Sequence, residues 1–405
     1  MLGAIRVLIA TDSKNISGLL NNILANYYRI NVVGVVYNGI EAYKSIVSLK
    51  PDFAVMDADL PLMGGLEILK LLKKENIKIN ILIMSSLAHN QDASMRGFDL
   101  GVLEFIQKTR NISAEFIKDN ILSRIIEISK KQSDDLEYVP ESNIDYNFNF
   151  LNNTPSPTTT TTIVSNTNKT TVDDNEQTYL NKFDDNVRII PFNQKQVATA
   201  ISKILKFDLK TPKLVAIGIS TGGPRALRIM LPSLPSDFPL PILISQHIPK
   251  EFSSSLISSL QDICKIRIKE ATVDEELAPS IVYISPGDKN MGVYMDSKGK
   301  IRIKFYPDTE HKFIYTPCVN YLFETIDNVL GNKAVAIVMT GMGNDGTDGM
   351  ISLYKHGNLC IAQDRESSTV FGMPRSVIEN KAVHVVLSLY DIAEFLIQYM
   401  RLKRV

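Results

Sequence analysis

Short β-branched apolar runs alternate with stretches of helical periodicity through the first 131 residues. IRVLIAT precedes ISGLLNNILANYY, INVVGVVYN precedes IEAYKSIVSL, and DFAVMDA precedes LEILKLLKKEN. NILIMSS then precedes QDASMRGFDLG, and VLEFIQK precedes an amphipathic segment near Ser113 to Lys131. Apolar runs of this length predict strands, and apolar positions three and four apart predict helices. Strands that each lead into a helix need crossover connections, so the pattern predicts a five-stranded parallel sheet covered on both faces over 1–131.

The alternation fails over 132–206, where NFNFLNNTPSPTTTTTIVSNTNKTTVDDNEQ is crowded with Asn, Asp, Ser, Thr and Pro. Such a composition buries too little apolar surface to offset chain entropy, and it predicts a flexible linker. About 60 residues of flexible coil span roughly 40 to 45 Å. The end of this stretch, VRIIPFNQKQVATAISKIL, has apolar spacing suited to a docking segment or a short helix. Over 207–405 the alternation resumes, with LVAIGIS, PILISQH, KIRIKEA, IVYISPG, KIRIKFYP, KAVAIVMT, NLCIAQD and AVHVVLS as strand candidates. This half predicts a second, doubly wound and mainly parallel α/β domain, with some antiparallel material around 266–306. Thr316 and Pro317 are expected as the N-cap and first turn of a helix through CVNYLFETIDNVL, which Gly331 closes.

A chain of 405 residues exceeds what one core usually supports, in keeping with two domains. Basic and acidic residues balance at 44 each, so global charge points to neither a nucleic-acid partner nor a polybasic membrane anchor. Cys264, Cys318 and Cys360 lie far apart with no zinc-type spacing, which suits buried thiols in a reducing compartment. No apolar run reaches the roughly 18 to 20 residues of a membrane span, and MLGAIRVLIATDSK is too short in apolar length for a signal peptide. A cytoplasmic, monomeric protein without membrane insertion is expected.

The candidate chemistry sits at strand ends. In the first domain Asp57 closes DFAVMDA at the carboxyl edge of the sheet, where open α/β folds bind ligands, and Asp12 closes the first strand beside it. Two neighbouring carboxylates call for a cation, and their oxygens suit Mg²⁺. Lys108, after the strand VLEFIQ, supplies further positive charge. Taken singly, each of these residues reads as an ordinary polar residue of a strand-to-helix loop.

In the second domain Ser220 ends LVAIGIS and is followed by Thr221, two glycines and Pro224, then a helix. A helix N-terminus there turns free N–H groups toward developing negative charge, so Ser220 is a candidate nucleophile. His247 ends the next strand and Asp345 follows KAVAIVMT, which supplies a base and an orienting carboxylate. Singly, Ser220 also reads as a helix N-cap, His247 as a structural histidine and Asp345 as a turn residue. Gly218-Ile-Ser220-Thr-Gly222 fits the GxSxG elbow, but folds with that elbow place the acid before the histidine. Asp364 with His384 would restore that order, although His384 is expected inside the strand AVHVVLS. Gly341-Met-Gly343-Asn-Asp-Gly346 fits GxGxxG with Asp364 at nearly the ribose-binding spacing, but Asp345 would put negative charge into a pyrophosphate loop.

Asp12, Asp57, Ser85 and Lys108, at the ends of strands one, three, four and five, make the first 120 or so residues resemble the response-regulator receiver domain. The resemblance implies a flavodoxin-like fold, phosphorylation at Asp57, a metal held by Asp12 and Asp57, and Ser85 and Lys108 as responders to the phosphoryl group. Thr11 stands where receivers usually have a second acid, Thr109 follows Lys108 in place of proline, and Gly64 replaces a frequent aspartate. The strings IGISTGGP, QHIPKEF, MTGMGNDG and AQDRESSTVFGMP resemble the chemotaxis protein-glutamate methylesterase family over nearly all of 213–400. That resemblance implies Ser220, His247 and Asp345 as a triad, Thr221 as support for the histidine and the Met342 N–H as an oxyanion donor. It also implies methyl-ester hydrolysis and glutamine deamidation on chemoreceptors, a chemotaxis histidine kinase as phosphoryl donor, no hydrolytic metal, and a receiver that covers the cleft until phosphorylated. Asn290 replaces a histidine common in that family.

Overall fold

The computed structural model describes residues 4–85, 97, 100, 102–108, 112–131, 192–306 and 315–403. The stretch 132–191, Thr109 and the helix expected over QDASMRGFDLG lie outside the described residues, Gly97 and Leu100 excepted.

Strands Ile5–Ala10 (β1), Ile30–Val36 (β2), Phe53–Asp57 (β3), Asn80–Ser85 (β4) and Glu104–Gln107 (β5) form the expected five-stranded parallel sheet, ordered β2-β1-β3-β4-β5. Every residue of β3 is buried, as a central parallel strand covered on both faces requires. Each fully buried aliphatic side chain there contributes about 1.5 to 3 kcal/mol. Helices Lys14–Ala25 (α1), Gly39–Leu49 (α2) and Gly65–Lys74 (α3) follow the first three strands. Ser13 and Asn38 start α1 and α2 by accepting from the N–H groups of Ile16 and Glu41. A fourth helix (α4) opens at Ala114–Ile117, passes through a π turn at Lys118–Leu122 and ends as Ser123–Lys131.

Helix Gln194–Ile204 (α5) falls within the stretch assigned to the linker. Asn193 caps it, and Val197, Ala200, Ile201 and Ile204 are buried. The following elements are Leu214–Ile219 (β6), Gly223–Met230 (α6), Ile242–Gln246 (β7), Lys250–Gln261 (α7), Arg267–Glu270 (β8) and Ile281–Ile284 (β9). Asn290–Met295 (β10), Ile301–Tyr306 (β11), Val319–Leu330 (α8), Ala334–Val338 (β12) and Thr347–Lys355 (α9) come next. Leu359–Gln363 (β13), Gly372–Glu379 (α10), Val385–Leu387 (β14) and Ile392–Lys403 (α11) complete the domain. Seven strands form one parallel sheet in the order β14-β13-β12-β6-β7-β9-β8. Helix α5 packs against α11 and β14, and the Asn193 N–H donates to Asp391 at 2.7 Å.

The antiparallel material expected around 266–306 is the pair β10 and β11, with an isolated antiparallel bridge between Glu276 and Arg302, while β8 and β9 run parallel in the main sheet. Two local expectations are corrected. Strand β10 went unforeseen because NMGVYM carries a glycine and two flexible methionines in place of β-branched residues. Helix α8 starts later than expected: Thr316 and Pro317 are joined by a cis peptide bond, and Cys318 is the N-cap, its sulfur accepting from the Tyr321 N–H.

His384 also lies just ahead of β14 instead of inside it. It is buried, accepts from the Cys360 N–H at 3.2 Å, and touches the rings of Phe207 and Tyr354. Burial, helped by Lys203, pushes its pKa from 6.5 down to about 4. A depressed histidine contributes stability that is whole above pH 6.5 and is lost as pH falls toward 4. The urea midpoint should therefore drop across that window, and His384→Gln, which keeps an acceptor for Cys360, should flatten the drop. An unchanged slope in the variant would assign the acid lability to other groups.

Candidate active site

Strand β6 lies between β12 and β7, so the carboxyl ends of these three strands bring Ser220, His247 and the loop holding Asp345 together. Ser220 leaves β6 with its N–H donated to the Thr340 carbonyl at 2.9 Å. Gly222, at φ 78°, then turns the chain into α6 with a conformation that a side chain would strain. On the other side, Gly341 runs so close that a Cβ there would stand 2.7 Å from the Ser220 Cβ. That contact brings Met342 beside the serine, and the Met342 N–H has no partner among the described residues.

The His247 ring bridges the other two groups, with Nδ1 at 3.0 Å from Ser220 Oγ and Nε2 at 2.8 Å from Asp345 Oδ2. A proton on Nε2 donates to the carboxylate and leaves the Nδ1 lone pair facing the hydroxyl. Asp345 is held at the N-terminus of α8, where Oδ2 accepts from the Val319 N–H at 2.7 Å and Oδ1 from the Asn320 N–H at 2.9 Å. Burial works to raise its pKa, but the hydrogen bond and charge of His247 and the two backbone N–H groups outweigh it and hold the carboxyl below the ordinary value. Asp345 is therefore anionic wherever the protein is folded at neutral pH.

Among the supporting residues, Gln246 carried no signal of its own in the sequence. Gln246 is buried, and its Nε2 donates to the carbonyls of Ser220 at 3.0 Å and His247 at 2.9 Å, clamping two strand ends together. Asn290 is fully buried, and its Oδ1 accepts from the Cys318 N–H at 2.7 Å, which anchors the helix start that holds Asp345. The departure at Asn290 thus lies inside the scaffold. Burial pushes the Cys318 thiol up to about 12, so it stays protonated and donates to Asp345. Thr221 is buried beside Ser220 with its carbonyl accepting from Thr340 Oγ1, and no hydrogen bond joins its hydroxyl to His247. The rival pair is not formed: Asp364 accepts from Ser367, and His384 faces Cys360.

The second constellation sits at the carboxyl edge of the first sheet. Asp57 is buried, its Oδ1 paired with Lys108 Nζ at 2.7 Å and its Oδ2 accepting from Thr11 Oγ at 2.5 Å. Burial raises the Asp57 pKa above the ordinary value although Lys108 and Thr11 pull it down, and the nearby Asp12 charge adds to the rise. Asp12 is exposed at the mouth of this site. Ser85 ends β4 and its carbonyl accepts from the Lys108 N–H at 2.8 Å. Two carboxylates and a hydroxyl fit an oxygen-seeking divalent cation that keeps several of its waters, with one charge fewer than two adjacent acids would give.

The two constellations are linked. Phe105 of β5 packs on Phe252 of α7 with ring centroids 5.9 Å apart. Leu103, Glu104 and Phe105 line a cleft with Ser220, Thr221, His247 and Phe252 whose volume is about 30 Å³. Val370 is buried in the same cluster as Val7 and Ile106, with Met342 packed against it.

The structure thus holds two parallel α/β sheets, one with Asp57 and Lys108 paired at its carboxyl edge and the other with Ser220, His247 and Asp345 joined by hydrogen bonds. The response regulator receiver domain family matches residues 7–117, and the CheB methylesterase family matches 215–396. A protein-glutamate methylesterase/protein-glutamine glutaminase of Bacillus licheniformis is 31% identical over 99% of this chain and 99% of its own length. One of the same name from Thermotoga maritima is 32% identical over 97% and 98%. The catalytic domain of Thermotoga maritima CheB methylesterase, a solved structure, is 38% identical, with a TM-score of 0.44 over 47% of this chain and 99% of that one. The chain belongs to the protein-glutamate methylesterase/protein-glutamine glutaminase family.

Proposed function

We propose that the chain hydrolyses methyl esters of glutamate side chains on chemotaxis receptors, and deamidates certain receptor glutamines, through Ser220, His247 and Asp345. The continuous line from Ser220 Oγ through both His247 nitrogens to Asp345 carries this reading. Ser220 Oγ attacks the ester carbonyl while His247 Nδ1 takes its proton, and the imidazolium so formed is paired with Asp345. The Met342 N–H, beside Ser220, is assigned as a donor to the developing oxyanion. His247 then protonates the leaving group, the ester oxygen that departs as methanol or the glutamine amide nitrogen that departs as ammonia, and water activated by the same nitrogen releases Ser220 and leaves a glutamate carboxylate. Incubating the protein with methylated receptor should release methanol in proportion to the glutamate formed. Absence of methanol with a receptor that a related methylesterase does process would remove the assignment.

The receiver is proposed as the control element, phosphorylated on Asp57 by a chemotaxis histidine kinase. Asp12 and Asp57 would hold Mg²⁺, whose contribution is to neutralise charge around the incoming phosphoryl group. Lys108 pairs with Asp57 and directly follows β5, the strand that carries the residues over the cleft. A phosphoryl group that draws Lys108 to itself acts on the cover through that strand, which supports relief of inhibition and adaptation as the physiological outcome. Thr11→Asp should lower the Mg²⁺ concentration needed for phosphorylation from a small donor by about tenfold, because it adds a charged ligand. An unchanged requirement would make the missing acid irrelevant to the site.

A further inference from the structure

Tyr315 lies on the loop between β11 and α8, outside the strings IGISTGGP, QHIPKEF, MTGMGNDG and AQDRESSTVFGMP, and is half-buried. Its ring stacks on that of His247, with centroids 4.7 Å apart and planes inclined by 15°. This is the offset parallel arrangement that aromatic pairs favour. The phenol oxygen reaches the loop of Met342 and Asp345, where a Cβ on Gly343 would meet it at 3.2 Å. Tyr315 is also joined through Thr316 and Pro317 to Cys318, the cap of the helix whose N–H groups hold Asp345.

We propose that Tyr315 is a positioning residue for the hydrolysis: its ring keeps the His247 plane aligned between Ser220 and Asp345 and steadies the imidazolium while it carries the serine proton. The proposal rests on the reading of His247 as the general base. Two effects act together. Rotation of the imidazole out of line would carry its edge into the tyrosine ring, so the Nδ1 and Nε2 contacts are kept. A protonated imidazole over an aromatic face is attracted by the ring quadrupole, whereas the neutral ring gains much less. The stabilisation thus grows between bound substrate and transition state, which places it in kcat and not in KM. The Asp345 carboxylate faces the other end of the imidazole, so the tyrosine ring adds to that ion pair without replacing it.

The test compares full-length Tyr315→Leu, Tyr315→Phe and Ser220→Ala with the parent in methanol release from methylated receptor, with melting temperatures alongside. Tyr315→Leu should lose about 3- to 30-fold in kcat with KM held within about twofold. Tyr315→Phe, which keeps the ring and loses the hydroxyl, should restore kcat to within about twofold of the parent. Should the leucine variant fail to fold, Tyr315→Met carries the same expectation. The proposal is overturned by unchanged kcat in the non-aromatic variant, by a rise in KM alone, or by a phenylalanine variant as slow as the leucine one. An active Ser220→Ala would instead overturn the triad beneath it, a separate result.

Discussion

Ser220→Ala is expected to abolish methanol release, with a loss in kcat of about a millionfold, while the protein melts at nearly the parent temperature. The hydroxyl sits at the end of β6, 3.0 Å from His247, so its removal deletes the nucleophile and leaves little cavity. His247→Ala should be about as severe. Combining the two should cost little more than either alone, because the pair acts as a unit. Asp345→Asn should lose about ten-thousandfold, because the amide no longer fixes the Nε2 proton while oxyanion stabilisation persists. Its carboxylate also accepts from Val319 and Asn320, so this variant, unlike Ser220→Ala, should destabilise the start of α8 as well. Substantial activity in Ser220→Ala, measured on the same receptor, would place the chemistry elsewhere.

The second large effect concerns the receiver. Phe105 rests on Phe252, and Leu103, Glu104 and Phe105 line the cleft beside Ser220 and His247, so the unphosphorylated full-length enzyme should be slow. A fragment beginning at residue 192 should exceed it by about 5- to 150-fold, the usual range of coupling between a regulatory and an active site. The starting point matters, because a cut near Leu205 would remove α5 and expose the surface that Val197, Ile201 and Ile204 cover. Phosphorylating Asp57 should close most of the gap, and Phe105→Ala should close part of it without phosphate. Equal rates for the fragment and the unphosphorylated full-length enzyme would leave the receiver as a localisation or partner-binding module.

The groups to which the proposal gives the chemistry were legible in the sequence because each closes an apolar run. LVAIGIS, PILISQH and DFAVMDA deliver Ser220, His247 and Asp57 to the edge of a parallel sheet. Their supports were not legible, because each acts through space. Gln246 and Asn290 are polar residues in apolar strands, and their partners lie on other elements. Tyr315 reaches His247 from a loop with no periodicity of its own. Thr316 and Pro317 have the composition of a helix start, yet the sulfur of Cys318 takes that place. Thr11 read as a missing charge, and it is also a hydrogen-bond donor that occupies one oxygen of Asp57.

The most direct measurement of the central claim is hydrolysis of a methylated receptor in ¹⁸O-water, followed by mass spectrometry of the glutamate and the methanol. Attack by Ser220 on the carbonyl, followed by water on the acyl-enzyme, puts one ¹⁸O into the new carboxylate and leaves the methanol unlabelled, and Ser220→Ala should yield neither product. Label in the methanol, or labelled glutamate from Ser220→Ala, would contradict the account.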